Sequence, residues 1–194
     1  GGSAIDFLNE YDPTKQPPFF LTVSLGNPHD VGTFPNPLLE DWGYPLKDYQ
    51  DLDVSFPDNY DDHLRHKPRV QKLFRRYLDK AAPLDDRTDR LHYMRFYAHL
   101  HQWADKQITA LLDALDRNGL TEDTLIVRFA DHGEMGLSHR MRQKHYNVYE
   151  EALNIPLIVS NPVLFPEPLT SDALVSTIDL MPTIAEWAGI TDVD

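Results

Sequence analysis

The chain has 194 residues, a hydrophobic content of 41%, no cysteine and a formal net charge of −13 at pH 7. This length suits a single globular domain that can bury a core. The acidic excess argues against nucleic acid or an anionic membrane as the main partner, and the lack of cysteine excludes disulfides and a thiol nucleophile. No stretch approaches the roughly 18 apolar residues of a membrane span.

Short apolar runs alternate with helical patterns along the chain. Residues 1–3 are expected to be a linker or a cloning remnant, and residues 4–9 the tail of a helix. Strands are predicted at residues 19–25, 124–130 and 155–160, and helices at residues 70–78, 90–118 and 179–189. This alternation predicts an α/β domain with a mainly parallel sheet flanked by helices.

Residues 31–68 are rich in Pro, Asp and Tyr and show little periodicity. A compact domain seldom carries so long a segment without a functional reason. The aromatic residues Phe34, Trp42, Tyr44 and Tyr49 are unusual for a flexible linker. We therefore interpret residues 31–68 as an irregular insertion that is ordered and packs on the domain.

Polar side chains follow two of the predicted strands. His29 comes after the first, and Asp131 and His132 come directly after the second. Ligands of open α/β sheets bind at the carboxyl ends of strands, so both positions are candidates for a site. A carboxylate and an imidazole can bind Ca²⁺, Mn²⁺ or Zn²⁺. The alternative is that Asp131 caps the next segment while both histidines have structural or surface roles.

His139 and Lys144 follow in the same stretch of sequence. A lysine ammonium suits the oxygen of an anion, and a histidine can move a proton to a leaving group. The alternative is a solvated basic stretch that balances Glu150 and Glu151. No nucleophile is apparent, because the chain has no G-x-S-x-G elbow and no glycine-rich phosphate loop.

Four stretches together resemble the sulfatases of the alkaline-phosphatase superfamily. They are "PFFLTVSLGNPHD" (18–30), "LLDALDRNGLTEDTLIVRFADHGEMG" (111–136), "SHRMRQKHYNVYEEALNIPLIVSNP" (138–162) and "VSTIDLMPTIAEWAGI" (175–190). They follow the order of the family and cover most of the chain outside residues 31–68. The resemblance implies an alkaline-phosphatase-like α/β fold and hydrolysis of a sulfate ester.

The resemblance also implies a role for each candidate residue. Asp131 and His132 would be two ligands of a divalent metal, typically Ca²⁺ in sulfatases. His29 would hydrogen-bond the ester near its leaving oxygen, and Lys144 would bind a sulfate oxygen. His139 matches a frequent but less uniform histidine of the family. A metal and cations arranged in this way would stabilise the charge of a transferring group.

The sequence departs from the family at the nucleophile. Sulfatases use a formylglycine made from Cys or Ser in a C/S-x-P-x-R motif, and the nearest match here, residues 55–59, lacks the arginine. The paired acidic metal ligands expected after the first strand of the family are missing as well. The resemblance therefore implies that residues 4–194 are part of a catalytic domain, with the missing pieces upstream, and that this chain alone is inactive.

The expected partners are a small-molecule or carbohydrate sulfate ester and the missing N-terminal part of the same domain. Two alternatives keep the fold and change the function. One is a phosphodiester or phosphonate monoester hydrolase, for which Mn²⁺ or Zn²⁺ is as suitable as Ca²⁺. The other is a binding domain without catalytic activity.

Overall fold

The computed structural model describes residues 3–190. The regular elements are α1 (Ala4–Glu10), α2 (Arg69–Ala81), α3 (Arg87–Arg117), β1 (Ile126–Phe129), α4 (Glu150–Leu153), β2 (Leu157–Ser160) and α5 (Leu180–Trp187). Four 3-10 helices connect them, at His29–Thr33, Leu46–Asp48, Ser138–Arg140 and Thr177–Asp179. Within residues 3–190, no helix is long and apolar enough to cross a membrane.

Helix α3 is the longest element, as the spacing of its apolar residues predicts. The Asp86 side chain caps its first turn by accepting a hydrogen bond from the Asp89 amide at 2.9 Å,. It ends before Gly119, whose φ of +65° is a conformation that a β-carbon disfavours,. Two separate clusters of buried side chains pack against its two halves, so α3 is the central support of the molecule.

The N-terminal half of α3 is covered by residues 31–60. Phe96 and Leu100 of α3 are fully buried. They lie in one cluster with buried side chains from this irregular segment, namely Val31, Phe34, Leu39, Tyr44, Tyr49 and Tyr60. The Phe96 ring lies 5.4 Å from that of Tyr44 and 5.2 Å from that of Tyr49. The segment therefore supplies much of the core rather than forming a surface loop.

Helix α1 and the residues after it cover the C-terminal half of α3. Leu8 of α1 is buried against Ala114 and Leu115, with Phe19 and Leu21 at the edge of the same cluster. Helix α1 begins at a capping box in which the Ser3 hydroxyl accepts from the Asp6 amide and the Asp6 carboxylate accepts from the Ser3 amide,.

The sheet differs from the sequence prediction in two ways. Strands β1 and β2 lie within the predicted ranges, but they pair antiparallel, with Ile126 opposite Ser160 and Phe129 opposite Leu157. They are the only two strands that the described residues form, so a mainly parallel sheet is not observed. An apolar run indicates a buried strand but carries no information on the direction of its partner.

Residues 19–25 were predicted to form a strand buried on both faces, and they form no strand. Phe19 and Leu21 are partly buried beside α3, whereas Phe20 has 77% of its surface exposed and Val23 is exposed as well. A strand needs a hydrogen-bonded neighbour, and none lies beside this segment within residues 3–190. Only the first part of the segment packs on the helix, because residues 22–25 are all exposed.

The predicted C-terminal helix is confirmed as α5, with Pro182 in its first turn,. The turn before it, Thr177–Asp179, is closed by a capping box in which the Ser176 amide donates to the Asp179 carboxylate at 2.7 Å. Helix α5 has no buried residue. Its apolar residues Met181 and Trp187 are exposed to solvent, whereas Leu180 and Ile184 are partly buried.

Candidate active site

The Asp-His turn, residues 131–133, follows β1 and presents two adjacent ligand atoms. The Asp131 side chain is 84% exposed, and its Oδ2 lies 3.5 Å from Nε2 of His132. Its Oδ1 accepts a hydrogen bond from the His132 amide at 2.9 Å. Nδ1 of His132 is 2.8 Å from the Gly133 carbonyl oxygen. A proton on Nδ1 satisfies that contact and leaves the lone pair of Nε2 facing the carboxylate.

Gly133 fixes the Asp-His turn against α4. Its amide donates to the Ala152 carbonyl at 2.9 Å. A β-carbon at this position would stand 2.0 Å from the Glu151 carbonyl oxygen, so the two backbones can approach this closely only with glycine,. The close contact decides where the carboxylate and imidazole of the preceding two residues project.

The Asp-His turn suits a divalent cation chemically, but it supplies only part of a coordination shell. The carboxylate oxygen and Nε2 are 3.5 Å apart. A metal–ligand distance is about 2.0–2.6 Å for Zn²⁺ or Ca²⁺. Since 3.5 Å is less than twice that distance, both atoms can contact one ion. No group of three or more His, Cys, Asp or Glu residues that could hold a metal occurs within residues 3–190. Two protein ligands leave the rest of a coordination shell to water or to other residues.

His29 begins the 3-10 helix at residues 29–33 and is exposed to solvent. Its Nδ1 lies 3.8 Å from the Asp30 carboxylate. Asp30 in turn accepts a hydrogen bond from the Tyr44 hydroxyl at 2.7 Å, and Asn27 donates to the same hydroxyl at 2.8 Å. The buried Tyr44 thus holds the turn that carries His29, while the imidazole itself stays accessible.

Lys144 lies in a loop of unusual backbone conformation, residues 137–146, here called the lysine loop. Five non-glycine residues in it have positive φ, namely Leu137, His139, Arg140, Gln143 and Tyr146. Such conformations are costly for side-chain-bearing residues and persist only where the surroundings impose them. The lysine loop is therefore a strongly determined piece of structure, and such segments are often found at functional sites.

Glu134 is the residue that holds the lysine loop to α3. Its Oε1 accepts hydrogen bonds from the Gln143 amide at 2.6 Å and from the Tyr93 hydroxyl at 2.8 Å. Burial, together with the Glu134 charge, raises the pKa of Tyr93 well above its ordinary value, so the hydroxyl stays a donor. Glu134 is not among the site residues predicted from the sequence. The only local signal is its position in the D-H-G-E stretch.

His139 and Lys144 differ in accessibility. The His139 side chain is only 11% exposed; its ring packs 4.5 Å from that of Tyr149, and its Nδ1 lies 3.7 Å from the Asp62 carboxylate. Lys144 is partly buried and forms no salt bridge within the described residues. The ammonium group of Lys144 can therefore bind an anion, whereas His139 has little exposed surface for a ligand to contact. A catalytic role for His139 stays a prediction.

The lysine loop touches the turn of His29. Gly32, in the 3-10 helix that His29 begins, lies so close to the Gln143 side chain that a β-carbon would stand 2.6 Å from its Nε2. The neighbours of His29 and of Lys144 are thus in contact, and Glu134 connects the Asp-His turn to the same loop. The lysine loop therefore contacts the distant His29 turn through Gln143, and the same residue is bonded to Glu134, which follows the Asp-His turn in sequence.

The sulfatase family model matches residues 3–190. The chain belongs to the sulfatase family. It is similar to a Delta 4,5-hexuronate-2-O-sulfatase of Bacteroides thetaiotaomicron, with 31% identity over 96% of this chain and 39% of the relative. It is also 31% identical to an uncharacterized sulfatase, YidJ, of Escherichia coli, over 96% of this chain and 35% of that protein.

The sulfatase fold is also found by comparison of structures. A solved structure of a sulfatase-like protein from Bacteroides thetaiotaomicron superposes with a TM-score of 0.75 and 24% identity, over 98% of this chain and 41% of the other. The chain thus spans roughly two fifths of the proteins it resembles.

Proposed function

We propose that this chain is the C-terminal part of a sulfatase catalytic domain, which in its intact form hydrolyses a sulfate ester to an alcohol and sulfate. The observation that carries the proposal is that the lysine loop contacts the His29 turn and is bonded to Glu134, beside the Asp-His turn, in a chain of the sulfatase family. Relatives more than twice as long leave room for the remaining parts of such a site.

The predicted site residues of these segments have the chemistry that transfer of a sulfuryl group requires. Lys144 binds a sulfate oxygen, and its fixed charge is most effective on the charge that builds up in the transition state. His29 donates a hydrogen bond to the leaving oxygen and is accessible enough to do so,. Asp131 and His132 hold a divalent cation, for which we favour Ca²⁺. When bound, that cation polarises a sulfate oxygen.

The nucleophile has to come from outside this chain. The chain contains no cysteine, and the serine at position 55 lacks the arginine that completes the formylglycine motif. We therefore expect the isolated chain to be inactive. The substrate we favour is a carbohydrate sulfate ester, on the model of the relative named for 2-O-desulfation of a hexuronate. Small-molecule sulfate esters are the alternative.

The proposal is tested in the intact protein that carries this chain, with an aryl sulfate and the matching aryl phosphates as substrates. Lys144→Ala is expected to lower kcat/KM for the sulfate about 10²–10³-fold, as loss of one charge-stabilising donor does. Lys106→Ala, on an exposed position of α3, removes the same charge and should leave the rate unchanged.

Three results would count against the proposal. Turnover of the aryl sulfate by the isolated chain would show that the nucleophile lies within it. A phosphodiester cleaved faster than the sulfate would favour a phosphoester hydrolase. An intact protein without activity on either ester would favour a binding domain.

A further inference from the structure

A small cationic cavity lies beside the lysine loop, which supplies part of its wall. It has a volume of about 110 Å³ and is enclosed by α2, the beginning of α3 and residues 137–142. Its polar lining consists of four arginines and one carboxylate, namely Arg75, Arg90, Arg140, Arg142 and Asp79. In a chain with a net charge of −13, such a concentration of positive charge is a local feature.

Arg142 is the buried member of this group. Its side chain is only 5% exposed, and its Nη2 is buried without a hydrogen-bond partner. The nearest carboxylate oxygen, Oδ1 of Asp79, is 3.9 Å away, which is too long for a hydrogen bond,. Burial lowers the pKa of Arg142, but an arginine keeps its charge in proteins,. A buried charged donor without an acceptor is costly, so it indicates a missing partner.

The other three arginines each contact neighbouring residues. Arg140 pairs with Asp61, Arg90 donates to the Tyr60 hydroxyl at 3.2 Å, and Arg75 donates to the His139 carbonyl at 3.4 Å. A guanidinium has five N–H donors, so each of these side chains keeps donors for a further acceptor. Their positions are thus fixed before any ligand binds, which lowers the entropic cost of binding one.

We propose that this cavity binds a tetrahedral oxoanion, either a sulfate or a phosphate group. Planar guanidinium groups match the paired oxygens of such an anion better than they match chloride or water. The volume exceeds the roughly 30 Å³ that one water occupies, so a larger group fits. Asp131, His132 and Lys144 do not line this cavity, and the proposal does not depend on the proposed sulfatase activity. The anion is either a free ion or a charged group on a larger molecule.

The experiment is a calorimetric titration of the 194-residue chain with sodium sulfate, at an ionic strength held constant with sodium chloride to remove general screening. Arg75→Gln and Arg90→Gln are each expected to weaken binding about tenfold, as loss of a charged hydrogen bond does. Arg76→Gln is the matched control, because Arg76 follows Arg75 on α2, is exposed and does not line the cavity. Arg142 is left unchanged, since its replacement would disturb the core.

Asp79→Asn gives a test of opposite sign. It removes the one carboxylate that lines the cavity, so we expect sulfate to bind several-fold more tightly. Loss of a contact with only a structural role would not increase the affinity for sulfate. Asp105→Asn, at an exposed position of α3, controls for the change in net charge. The melting temperature in sulfate relative to chloride gives a second measurement on the same variants.

Two results would overturn the proposal: sulfate and phosphate that bind no better than chloride, or Arg75→Gln and Arg90→Gln variants that bind like Arg76→Gln. A sulfated disaccharide, added as a competitor, distinguishes the sources of the anion. If it displaces inorganic sulfate and binds more tightly, the group belongs to a larger ligand. If only the inorganic ions bind, the cavity is a site for the free anion. Either of these last results supports an oxoanion site.

Discussion

Single residues decide how the Asp-His turn is presented, and Gly133 is the clearest case. Gly133→Ala would place a β-carbon 2.0 Å from the Glu151 carbonyl oxygen, so the turn or α4 has to move. We expect the free energy of unfolding to fall by about 2–4 kcal/mol, in the range of severe steric changes. Denaturant unfolding monitored by circular dichroism measures this.

Gly26→Ala is the matched control for Gly133→Ala. Nothing lies within 4 Å of a β-carbon placed at Gly26, and its φ is not positive. The same substitution should therefore change the stability by less than about 1 kcal/mol, and a gain is possible because alanine restricts the unfolded chain. Equal costs at the two glycines would show that the close approach at Gly133 does not limit the fold.

The Asp-His turn should bind a cation only weakly in this chain. One carboxylate and one imidazole leave most of the coordination shell of Ca²⁺ to water, so we expect a Kd of about 10⁻⁴–10⁻³ M or weaker. Calorimetry measures the affinity, and Mn²⁺ used as a paramagnetic probe should broaden the His132 resonances selectively. Asp131→Asn is expected to abolish that broadening. Submicromolar Ca²⁺ binding would contradict the interpretation of the turn as half of a metal site.

Adjacent residues of the site could be selected from the sequence, whereas their supports could not. Asp131 and His132 stand next to each other after an apolar run, so a local pattern was enough to select them as candidates. Glu134 accepts hydrogen bonds from the Tyr93 hydroxyl and the Gln143 amide, which come close to it only after the chain has folded. The acceptor role of a carboxylate depends on such distant donors, and no spacing in one sequence reveals it.

At the scale of elements, Glu134 is the connection between α3 and the lysine loop. Glu134→Ala leaves the Gln143 amide and the Tyr93 hydroxyl without their acceptor, and we expect a loss of about 3 kcal/mol in the free energy of unfolding. Tyr93→Phe removes only one donor and should cost about 1.5 kcal/mol. Hydrogen exchange at the Gln143 amide should accelerate in the first variant and much less in the second. If the two variants lose the same stability and accelerate exchange equally, Tyr93 alone connects α3 to the lysine loop.

Helix α4 is joined to the irregular segment through a carboxylate that makes stability depend on pH. Burial raises the pKa of Glu151, but hydrogen bonds, chiefly the one that Asn59 donates at 2.7 Å, outweigh burial and lower the pKa overall. A lowered pKa stabilises the fold above the ordinary glutamate value of about 4.3, and this contribution is lost as the pH falls through the folded-state pKa.

Glu151→Gln isolates this contribution of the Glu151 carboxylate. We expect the melting temperature of the original chain to exceed that of the variant at neutral pH, and the difference to shrink as the pH falls below about 4.3. Glu167→Gln, exposed on the C-terminal segment, controls for the loss of one negative charge. A difference that stays constant down to acid pH would mean that the Glu151 charge does not contribute.

The helices were predictable from the sequence because their stabilising contacts repeat every three or four residues. The spacing of apolar residues places α2 and α3 within about three residues of their observed bounds. The sheet was harder to predict from the sequence, because residues 19–25 have the composition of a strand but form none. Pairing depends on a partner elsewhere in the protein, and so does the antiparallel direction of β1 and β2.

For the whole molecule, the main physical feature is apolar surface that stays uncovered. The side chains with three quarters or more of their surface exposed include Phe20, Leu169, Leu174, Ile178 and Met181. Both strands of the two-stranded sheet are edges as well, with Phe129 and Ile158 exposed. Patches and edges of this kind are normally covered in soluble proteins. If this chain is part of a longer protein, as proposed above, we expect the additional part to cover them.

Uncovered edges and apolar side chains predict that the chain associates with itself. In light scattering, we expect a mass above the 22.4 kDa of one chain, rising with concentration,. Ile178→Lys together with Met181→Lys places charge on the exposed apolar C-terminal segment. This double variant should lower the apparent mass, because charged residues on exposed apolar surfaces oppose association in natural proteins.

Thr109→Lys on the exposed surface of α3 is the control for added charge and should leave association unchanged. A monomer at all concentrations would mean that these surfaces are already covered by the chain itself, and the expectation of a further covering segment would lose its support.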